Sequence, residues 1–416
     1  MIFGEKMKDV FHNLLGSESI FKNREVLSHS YIPEILPHRE KQIEELAKIL
    51  APALRGENPS NVFIYGKTGT GKTAVAKFMG KQIVKKGEEL GVPTSFVYIN
   101  CEIVDTQYRI LQNISNHFIK KWEERVPFTG WPTDEVYSKL VETIDRAGGV
   151  TIIVLDEVDK VKDDEVLYNL SRINYDLKKA KASIIGVSND LKFTEFLDPR
   201  IKSSLGQENI VFPPYTADEL ADILRERATI ALKEGALEEN VIPLCSALAA
   251  QEHGDARRAL DLLRVAAEIA EREGEKKVTE RHVKIAENKI ELDRVSEIVR
   301  TLPVQSKIVL MAAIIGNEFY DDLTTGDLYE IYKDLCKMSG LGALTQRRVA
   351  DLISELDMLG IITARVISKG RYGRTREIEV FSPDKIKETI EKSGDLPDLT
   401  SYKPKLQNLL SFNIKK

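Results

Sequence analysis

The sequence contains few cysteines, and they are widely spaced. Of its 416 residues three are cysteines, Cys101, Cys245 and Cys336, and no two of them form a Cys-x-x-Cys pair. This spacing argues against a disulfide framework and against a cysteine-based zinc site. It fits a protein of a reducing, intracellular compartment.

Long apolar runs are also missing. No stretch approaches the roughly 18 apolar residues that a membrane-spanning helix requires. The first ten residues carry charges where a secretory signal peptide has an apolar segment. We therefore expect a cytoplasmic protein without a membrane partner.

Neither sign of charge dominates the composition. Lys and Arg number 60 and Asp and Glu number 65, which gives a net charge of -5. The overall charge does not predict a nucleic-acid partner, so any such surface must be local. At roughly 100 to 200 residues per domain, the chain should hold two to four domains.

The strongest motif that is present is GKTGTGKT at residues 66–73. It follows an apolar run at residues 61–65 and precedes a helix-forming run at residues 74–79. This order of strand, glycine-rich loop and helix is typical of a Walker A phosphate loop. Lys72 is predicted to reach the β and γ phosphates of ATP, or the β phosphate of ADP, and Thr73 to place its hydroxyl on Mg²⁺.

Glycines in this motif allow the backbone to approach a phosphate group closely. Gly66, Gly69 and Gly71, with Thr70 between the last two, are predicted to turn their N–H groups toward the nucleotide. The N-terminus of the following helix adds partial positive charge. Gly69, Thr70, Gly71, Lys72 and Thr73 form the predicted phosphate-binding set.

Acidic residues follow a second apolar run, residues 150–155, which is typical of a strand buried on both faces. Asp156 is predicted to hold Mg²⁺ through water, and Glu157 to polarise the attacking water. A further strand at residues 182–188 is followed by Asn189, which we interpret as a sensor between that water and the γ-phosphate. An asparagine after a strand is otherwise a common turn residue.

Strand and helix patterns alternate over residues 39–212 and predict a parallel sheet covered by helices. One of these helices is predicted to begin after Asp105 or Thr106 as its cap. From residue 215 the pattern becomes helical, which predicts a small helical domain. Its predicted helices cover residues 216–234, 241–252, 255–273 and 279–290. Arg257 falls in the first turn of the third helix, where it could face a nucleotide.

The third region, residues 293–390, is predicted to form a winged helix. Helical patterns cover residues 293–301, 305–315, 325–337 and 345–359, and strand patterns cover 361–367 and 376–381. Arg347 and Arg348 open the helix in the recognition position.

The predicted hairpin tip is strongly basic. Between residues 345 and 376 the basic positions are 347, 348, 365, 369, 371, 374 and 376, and the acidic ones are 351, 355 and 357. Lys369, Arg371, Tyr372 and Arg374 at the tip are predicted to contact DNA, since cations beside an aromatic ring suit a groove edge. The alternative is an ordinary solvated hairpin.

Four motifs, GKTGTGKT, IIVLDE, VSND and GDARRAL, occur in an order and spacing that resemble the AAA+ ATPases. The segments YIPEILPHRE, DTQYRILQNI, LDPRIKSSL and FPPYTADEL are similar to those of archaeal origin-recognition replication initiators of the Orc/Cdc type. The resemblance extends over nearly the whole chain. It implies an α/β fold with an AAA+ parallel-sheet nucleotide-binding domain and a helical lid, followed by a winged-helix DNA-binding domain.

The resemblance also implies roles for individual residues. In Arg257 it implies a second sensor that contacts the γ-phosphate from the lid, and in Tyr215 and Arg227 it implies nucleotide contacts. Arg200 resembles an arginine finger that acts in trans on a neighbour's nucleotide. Eukaryotic relatives often carry a second arginine where this chain has Ser204. This difference predicts slow intrinsic hydrolysis of ATP.

A second DNA contact is implied by the resemblance alone. The segment DTQYRILQNI lies where these initiators carry an extra helix that touches duplex DNA, which makes Tyr108 and Arg109 candidates. Without the resemblance, Tyr108 would be read as a core residue and Arg109 as a solvated one. The implied partners are double-stranded origin DNA, other initiator copies on DNA and the replicative helicase, in an archaeal, nucleoid-associated setting.

The predicted domains are residues 1–214, 215–291 and 292–390, followed by a C-terminal tail at 391–416. The pattern is mixed from Asp384 to Lys416, where we expect partial disorder. The predicted function is an ATP-dependent replication initiator that binds origin DNA, helps recruit the helicase and hydrolyses ATP slowly as a switch. Two alternatives stay open at this point. One is a clamp-loader-like or remodelling ATPase with fast turnover, and the other is a nucleotide-gated transcription regulator.

Overall fold

The computed structural model describes residues 19–29, 31–205, 208–368, 374–397, 399 and 402–403. The chain divides into two compact units, Met1–Ala286 and Glu287–Lys416. The division between them falls within one long helix.

The first unit is built around a parallel sheet of five strands. The strands are β1 (Val62–Tyr65), β2 (Thr94–Asn100), β3 (Val150–Asp156), β4 (Lys181–Ser188) and β5 (Glu208–Val211). Their order in the sheet is β2-β3-β4-β1-β5, and every neighbouring pair is parallel. Parallel strands end at one edge, so Tyr65, Asp156 and Ser188 all lie at the edge from which the phosphate loop leaves β1.

Helices cover both faces of this sheet. They are α1 (Glu40–Leu50), α2 (Lys72–Leu90), α3 (Gln107–Phe118), α4 (Thr133–Ala147), α5 (Glu165–Ser171), α6 (Phe193–Phe196) and α7 (Pro199–Leu205). All seven residues of β3 are buried, as its continuous apolar pattern predicts. One hydrophobic cluster contains Ile153 and Leu155 and the other contains Ile152 and Val154, so alternate β3 side chains enter opposite layers.

The chain then forms a helical lid. Its helices are α8 (Ala217–Ala231), α9 (Val241–Gln251), α10 (Ala256–Arg272) and the first part of α11 (Glu280–Thr301). Thr216 and Glu219 form a capping box at the start of α8. A 3-10 helix, Arg24–Leu27, packs on α8 and α10 with Val26 and Leu27 buried. The sequence pattern does not predict this element.

One predicted helix boundary is wrong. The patterns at residues 279–290 and 293–301 predict two helices, but a single helix, α11, runs from Glu280 to Thr301. The residues between the two patterns, Glu291 and Leu292, do not break a helix, since neither glycine nor proline is present. Both the predicted domain boundary at 291/292 and the division between the two units lie inside this helix.

The second unit is a helical domain with a two-stranded wing. Its elements are α12 (Val304–Phe319), α13 (Thr325–Met338), α14 (Gln346–Met358), β6 (Ile362–Ser368), β7 (Arg374–Val380) and α15 (Pro383–Ser393). Strands β6 and β7 pair antiparallel. The strand and helix patterns predicted for the winged helix match these elements, and the predicted fold class is confirmed for both units.

The chain after β7 forms regular structure that its sequence pattern does not predict. The mixed pattern from Asp384 onward does not predict regular structure, yet these residues form most of α15, in which Ile386 and Ile390 are buried in the core of the second unit. Beyond the helix, Asp395 accepts a hydrogen bond from Lys307, whose side chain is buried. These contacts order the chain well past the predicted end of the winged helix at residue 390.

Thr106 is the cap residue of α3, but among the described residues its side chain accepts no hydrogen bond from the first turn.

None of the described helices combines the length and the apolar character needed to cross a lipid bilayer.

Candidate functional site

The phosphate loop follows β1 and its backbone depends on glycine at two positions. Gly69 has φ of +73° and Gly71 has φ of +90°, both in the left-handed region that side chains disfavour. Gly71 is the N-cap of α2, so the free N–H groups of the first turn of α2 lie at the loop. Thr70 donates from its hydroxyl to the Lys67 carbonyl oxygen at 2.8 Å, which ties the loop to itself. The loop is therefore a preformed anion site.

Lys72 lies beneath the loop with only 5% of its surface exposed. Its ammonium donates to the carbonyl oxygens of Gly66 and Lys67, both at 2.7 Å. Burial lowers the pKa of Lys72 to about 8. An anionic phosphate beside this group would favour its charged form and reverse that effect.

Asp156, at the end of β3, accepts hydrogen bonds on both carboxylate oxygens. Its Oδ2 accepts from the Thr73 hydroxyl at 2.8 Å and from the Tyr98 hydroxyl at 2.6 Å. Its Oδ1 accepts from the Glu157 backbone N–H at 3.1 Å. A carboxylate beside a threonine hydroxyl is the kind of oxygen donor set that suits Mg²⁺. The structure thus places the two predicted metal ligands, Thr73 and Asp156, in direct contact.

Glu157 adopts a backbone conformation that is rare for a side-chain-bearing residue, with φ of +54°. Such conformations concentrate at functional sites, where the surrounding fold holds them. Burial raises the pKa of the Glu157 carboxyl, and the neighbouring carboxylates of Glu102 and Asp156 raise it further. A carboxylate held this way is a stronger proton acceptor than an ordinary surface glutamate.

The sequence does not single out Asp159, which orders the chain after β4. Its Oδ1 accepts from the Ser188 hydroxyl at 2.9 Å and from the Asn189 backbone N–H at 3.3 Å. These bonds fix the position at which Asn189 leaves the sheet. Asn189 lines the same cavity as Glu157.

This cavity comprises about 1070 Å³ of space, part of it open to solvent. Its walls come from the phosphate loop, the ends of β3 and β4, the lid and the segment before α1. The predicted site residues that line it are Gly69, Thr70, Gly71, Lys72, Thr73, Asp156, Glu157, Asn189, Tyr215, Arg227 and Arg257. The structure brings these residues together at one cavity, whereas Gly66, also predicted to approach the phosphates, is not among the residues that line it.

The lid touches the phosphate loop directly. Ala256, the first residue of α10, donates its backbone N–H to the Gly69 carbonyl oxygen at 3.1 Å. Asp255 caps the same helix by accepting from the N–H groups of Arg257 and Arg258. Arg257 is thereby held in the first turn of α10, on the wall of the cavity.

Arg39 is a site residue that the sequence analysis missed. It is 2% exposed, and its guanidinium donates to the carbonyl oxygens of Thr70, His38 and Pro213 at 2.9, 2.8 and 2.7 Å. It lies 3.6 Å from the centroid of the Tyr215 ring. Burial lowers the pKa of Arg39 and raises that of Tyr215 to about 12. Arg39 therefore joins the phosphate loop to the start of the lid.

A second missed feature is the strap, which we define as residues 28–38 (residue 30 excepted). Apolar strap residues line the cavity opposite the phosphate loop. His29 pairs with Asp261 of α10 at 2.8 Å and His38 pairs with Asp222 of α8 at 3.1 Å, so both ends of the strap are attached to the lid.

Arg227 contacts the segment that leads into the strap. Its guanidinium donates to the Val26 carbonyl oxygen at 3.2 Å and lies 4.6 Å from the centroid of the Tyr31 ring. Burial lowers the pKa of Arg227. The arginine thus supports the wall formed by the strap and also borders the cavity.

Arg200 lies apart from the cavity, on α7. It is exposed and pairs with Asp198, at 3.1 Å from Nε and 2.9 Å from a terminal nitrogen. The Arg200 hydrogen bonds hold the pKa of Asp198 at about 2. The guanidinium also lies 5.4 Å from the centroid of the Tyr168 ring. Arg200 is thus not among the described residues that line the cavity of its own chain.

The two predicted DNA contacts on α3 are half-buried. Tyr108 donates from its hydroxyl to the Pro127 carbonyl oxygen at 2.9 Å and packs against the core. The Arg109 guanidinium lies 4.8 Å from the centroid of the Phe128 ring, and that ring is 68% exposed. Tyr108 thus has the structural role that its sequence alone suggested, and Arg109 borders an exposed aromatic side chain.

In the second unit, Arg347 and Arg348 differ in their surroundings. Arg347 lines a groove between the start of α13, the start of α14 and the wing, together with Thr325 and Arg376. Arg348 points toward carboxylates of its own helix, at 3.8 Å from Asp351 and 3.7 Å from Glu355. Lys369, Arg371 and Tyr372 lie outside the described residues, and for Arg374 only the backbone is described.

Matches to protein families cover most of the chain. Residues 35–173 match an AAA ATPase domain, residues 221–288 match the Cdc6 AAA+ ATPase-type lid domain, and residues 297–389 match the CDC6 C-terminal winged helix domain. The family of the first domain implies nucleotide binding and ATPase activity.

Curated relatives match over nearly the full length. The chain is 57% identical over 415 residues to the ORC1-type DNA replication protein 1 of Methanosarcina mazei, covering 98% of this chain and 99% of the relative. It is 56% identical over 411 residues to the ORC1-type DNA replication protein of Pyrococcus abyssi, covering 98% and 96%.

A solved structure is similar as well. The fold resembles that of the Aeropyrum pernix ORC1 protein in complex with DNA, with a TM-score of 0.77, 48% identity and coverage of 90% of this chain and 98% of that chain. High identity over almost the whole length places the sequence, and not only its fold, among these proteins. The chain therefore belongs to the ORC1-type DNA replication proteins of archaea.

Proposed function

We propose that this protein is an ATP-dependent replication initiator that binds origin duplex DNA and helps to recruit the replicative helicase, with ATP hydrolysis acting as a switch. The observation that supports the switch in this proposal is the direct hydrogen bond between Ala256 of the lid and Gly69 of the phosphate loop. A change at the γ-phosphate position reaches the lid through this contact and through Arg257. The nucleotide state would therefore set the position of the lid and the choice of partners.

In this proposal each group in the cavity has one task. The phosphate-loop N–H groups and Lys72 bind the phosphates, while the strap and Tyr215 enclose the rest of ATP or ADP. Glu157 accepts a proton from the attacking water, and Asn189 orients that water. Arg257 neutralises charge at the γ-phosphate from the lid.

Thr73 and Asp156 are the residues that would hold Mg²⁺. Their hydroxyl and carboxylate oxygens fit a hard cation, and they are already in contact. When bound, the ion neutralises phosphate charge in the transition state. Asp156 would hold it through water, since its Oδ2 already accepts two hydrogen bonds.

We propose that hydrolysis is slow and regulatory. Arg200 is held by Asp198 at the surface and does not line the cavity of its own chain. Among the described residues, the cavity is lined by two arginines of its own chain: Arg257, which we assign to the γ-phosphate, and Arg227, which supports the wall formed by the strap. Contact with another initiator copy on DNA would bring Arg200 to the neighbour's nucleotide and raise the rate.

Steady-state ATP turnover with and without duplex DNA tests this part. A switch turns over well below about 1 s⁻¹, the lower end of the usual range for enzymes, and Glu157→Gln abolishes the remainder. Turnover above about 1 s⁻¹ in the presence of duplex DNA would instead favour a clamp-loader-like or remodelling ATPase.

DNA binding is proposed for both units. In the second unit Arg347, with Arg348 and the wing residues Lys369, Arg371, Tyr372 and Arg374, would contact the duplex. In the first unit Tyr108 and Arg109 would add a contact beside Phe128. The support for the second unit is its winged-helix family and the groove that Arg347 lines.

A nucleotide-gated transcription regulator would share these parts, so the location of the bound DNA decides between the two. The test is a map of the chromosomal sites that the protein occupies in the cytoplasm of the source cell. These sites are compared with the positions of the replication start sites. Occupancy at replication starts is expected for an initiator on the nucleoid. Occupancy spread over promoters, away from any replication start, would contradict the proposal.

A further inference from the structure

Tyr98 makes a contact that the proposed mechanism does not use. It lies on β2, and its hydroxyl donates to Oδ2 of Asp156 at 2.6 Å. In the sheet Tyr98 pairs with Val154, two residues before Asp156, so the two side chains are diagonal neighbours on one face. The contact is therefore built into the register of β2 and β3.

The hydrogen bonds around Asp156 fix the orientation of its carboxylate. Thr73 and Tyr98 both donate to Oδ2, and the Glu157 N–H donates to Oδ1. Three donors from three elements leave the group little rotational freedom. Of the two hydroxyl donors, Tyr98 is the one that does not belong to the phosphate loop or its helix.

The Tyr98 ring is itself held in place. Lys77 of α2 lies with its ammonium 3.9 Å from the ring centroid, and Lys77 also borders the nucleotide cavity. The Tyr98 ring is therefore fixed with its hydroxyl against the Asp156 carboxylate.

We infer that Tyr98 is a positioning residue for the metal site, one that orients the Asp156 carboxylate so that it can hold Mg²⁺ beside the nucleotide. The inference rests on the proposed nucleotide function. Partners that orient metal-binding groups commonly change metal affinity by about 10- to 100-fold when they are removed. Tyr98 acts through Asp156, since it is not among the described residues that line the nucleotide cavity.

Tyr98→Phe removes the hydroxyl and keeps the ring that packs against Lys77. Tyr137→Phe is the matched control, because Tyr137 also donates to an aspartate, Asp176, at 2.6 Å, but on α4 away from the cavity. The probe is fluorescently labelled ADP, bound to the full-length protein in EDTA and then across a Mg²⁺ titration. Thermal unfolding in the same solutions gives a second readout that does not depend on catalysis.

In Tyr98→Phe we expect the Mg²⁺ concentration at half-effect to rise by about tenfold, while ADP affinity in EDTA and the unfolding temperature without nucleotide stay at wild-type values. The rise in unfolding temperature that Mg²⁺ adds to the ADP complex should shrink in parallel. Tyr137→Phe should match the wild type in its Mg²⁺ dependence.

Two results would overturn the inference alone. One is a Mg²⁺ dependence in Tyr98→Phe that equals the wild type, and the other is an equal loss of ADP affinity with and without Mg²⁺, which marks a structural role. A wild-type protein that binds no ADP under either condition would overturn the proposed function itself, and the inference with it.

Discussion

At Gly69 the phosphate loop has no room for a side chain. A Cβ atom there would lie 1.7 Å from Oδ1 of Asp255, the cap of α10, and φ is +73°. Gly56 has almost the same backbone conformation, with φ of +71°, but a Cβ atom there would meet nothing within 4 Å. Substitutions at these two glycines therefore distinguish the free-energy cost of the backbone conformation from that of the contact between loop and lid.

We expect Gly69→Ala to abolish tight nucleotide binding, because the added methyl group pushes the phosphate loop and the lid apart. Gly56→Ala should lose only about 1 kcal/mol of stability from its left-handed backbone and should bind nucleotide normally. Calorimetric titration with ADP and thermal unfolding of both variants provide the measurement. Wild-type ADP affinity in Gly69→Ala would show that the lid need not touch the loop.

The sequence predicts some of these residues better than others. The phosphate loop, Asp156 and Glu157 occur in continuous motifs whose spacing has a direct geometric meaning, so their positions at the site follow from the sequence alone. The positions of Arg39 and Tyr98 at the site do not follow from the sequence. Arg39 contacts Pro213, and Tyr98 contacts Asp156, through pairings that arise only after the sheet has formed. Within the local sequence, an arginine before a helix and a tyrosine in a strand give no signal of these contacts.

At the scale of structural elements, two histidines attach the strap to the lid. His29 and His38 attach it to the lid through Asp261 and Asp222. The hydrogen bond that the imidazole donates to Asp261 raises the pKa of His29, against the opposing effects of burial and of Arg257 and Arg264. A raised pKa means that the attachment is complete below the ordinary value near 6.5 and is lost as the pH rises through the raised value.

We therefore expect the wild type to be slightly more stable than His29→Gln at pH 6, and the difference to shrink as the pH rises. The effect should stay below about 1 kcal/mol, because the imidazole is 48% exposed and exposed pairs are weak. Thermal unfolding of both proteins from about pH 5.5 to about pH 8.5 makes the comparison. A difference that grows with rising pH would contradict the assigned pairing.

The recognition helix α14 presents two neighbouring arginines in different settings. Arg347 borders the groove against the wing, while Arg348 is close to Asp351 and Glu355. The sequence predicts both arginines as DNA contacts. Only the folded structure shows which of them faces the wing and which lies beside carboxylates of its own helix.

We expect Arg347→Ala to weaken duplex binding across all sequences and to reduce the salt slope of binding by about 1, as the loss of one phosphate contact does. Arg348→Ala, its matched control, should have a smaller effect because its guanidinium is partly neutralised. Fluorescence anisotropy over a range of salt concentrations measures both quantities. Equal losses in the two variants would mean that the groove does not face DNA.

At the scale of the whole molecule, the order of the domains could be predicted but their boundaries could not. Pattern changes mark the ends of the sheet region and the start of the wing. Helix α11 crosses the predicted boundary at 291/292 because continuous helix-forming residues carry no stop signal there. Helix α15 was missed because its burial depends on Ile386 and Ile390 meeting a distant core, which local charge in this mixed segment obscures.

The central claim is that an ATP-loaded protein recognises discrete origin duplexes. Equilibrium binding to genomic duplexes spanning the region beside its own gene, against shuffled controls at one fixed salt concentration, tests it most directly. Specific affinity should exceed non-specific affinity by about 10³ or more, and Arg371→Ala, in the wing, should weaken it. Equal affinity for native and shuffled duplexes would contradict the claim and leave an ATPase that acts on protein partners.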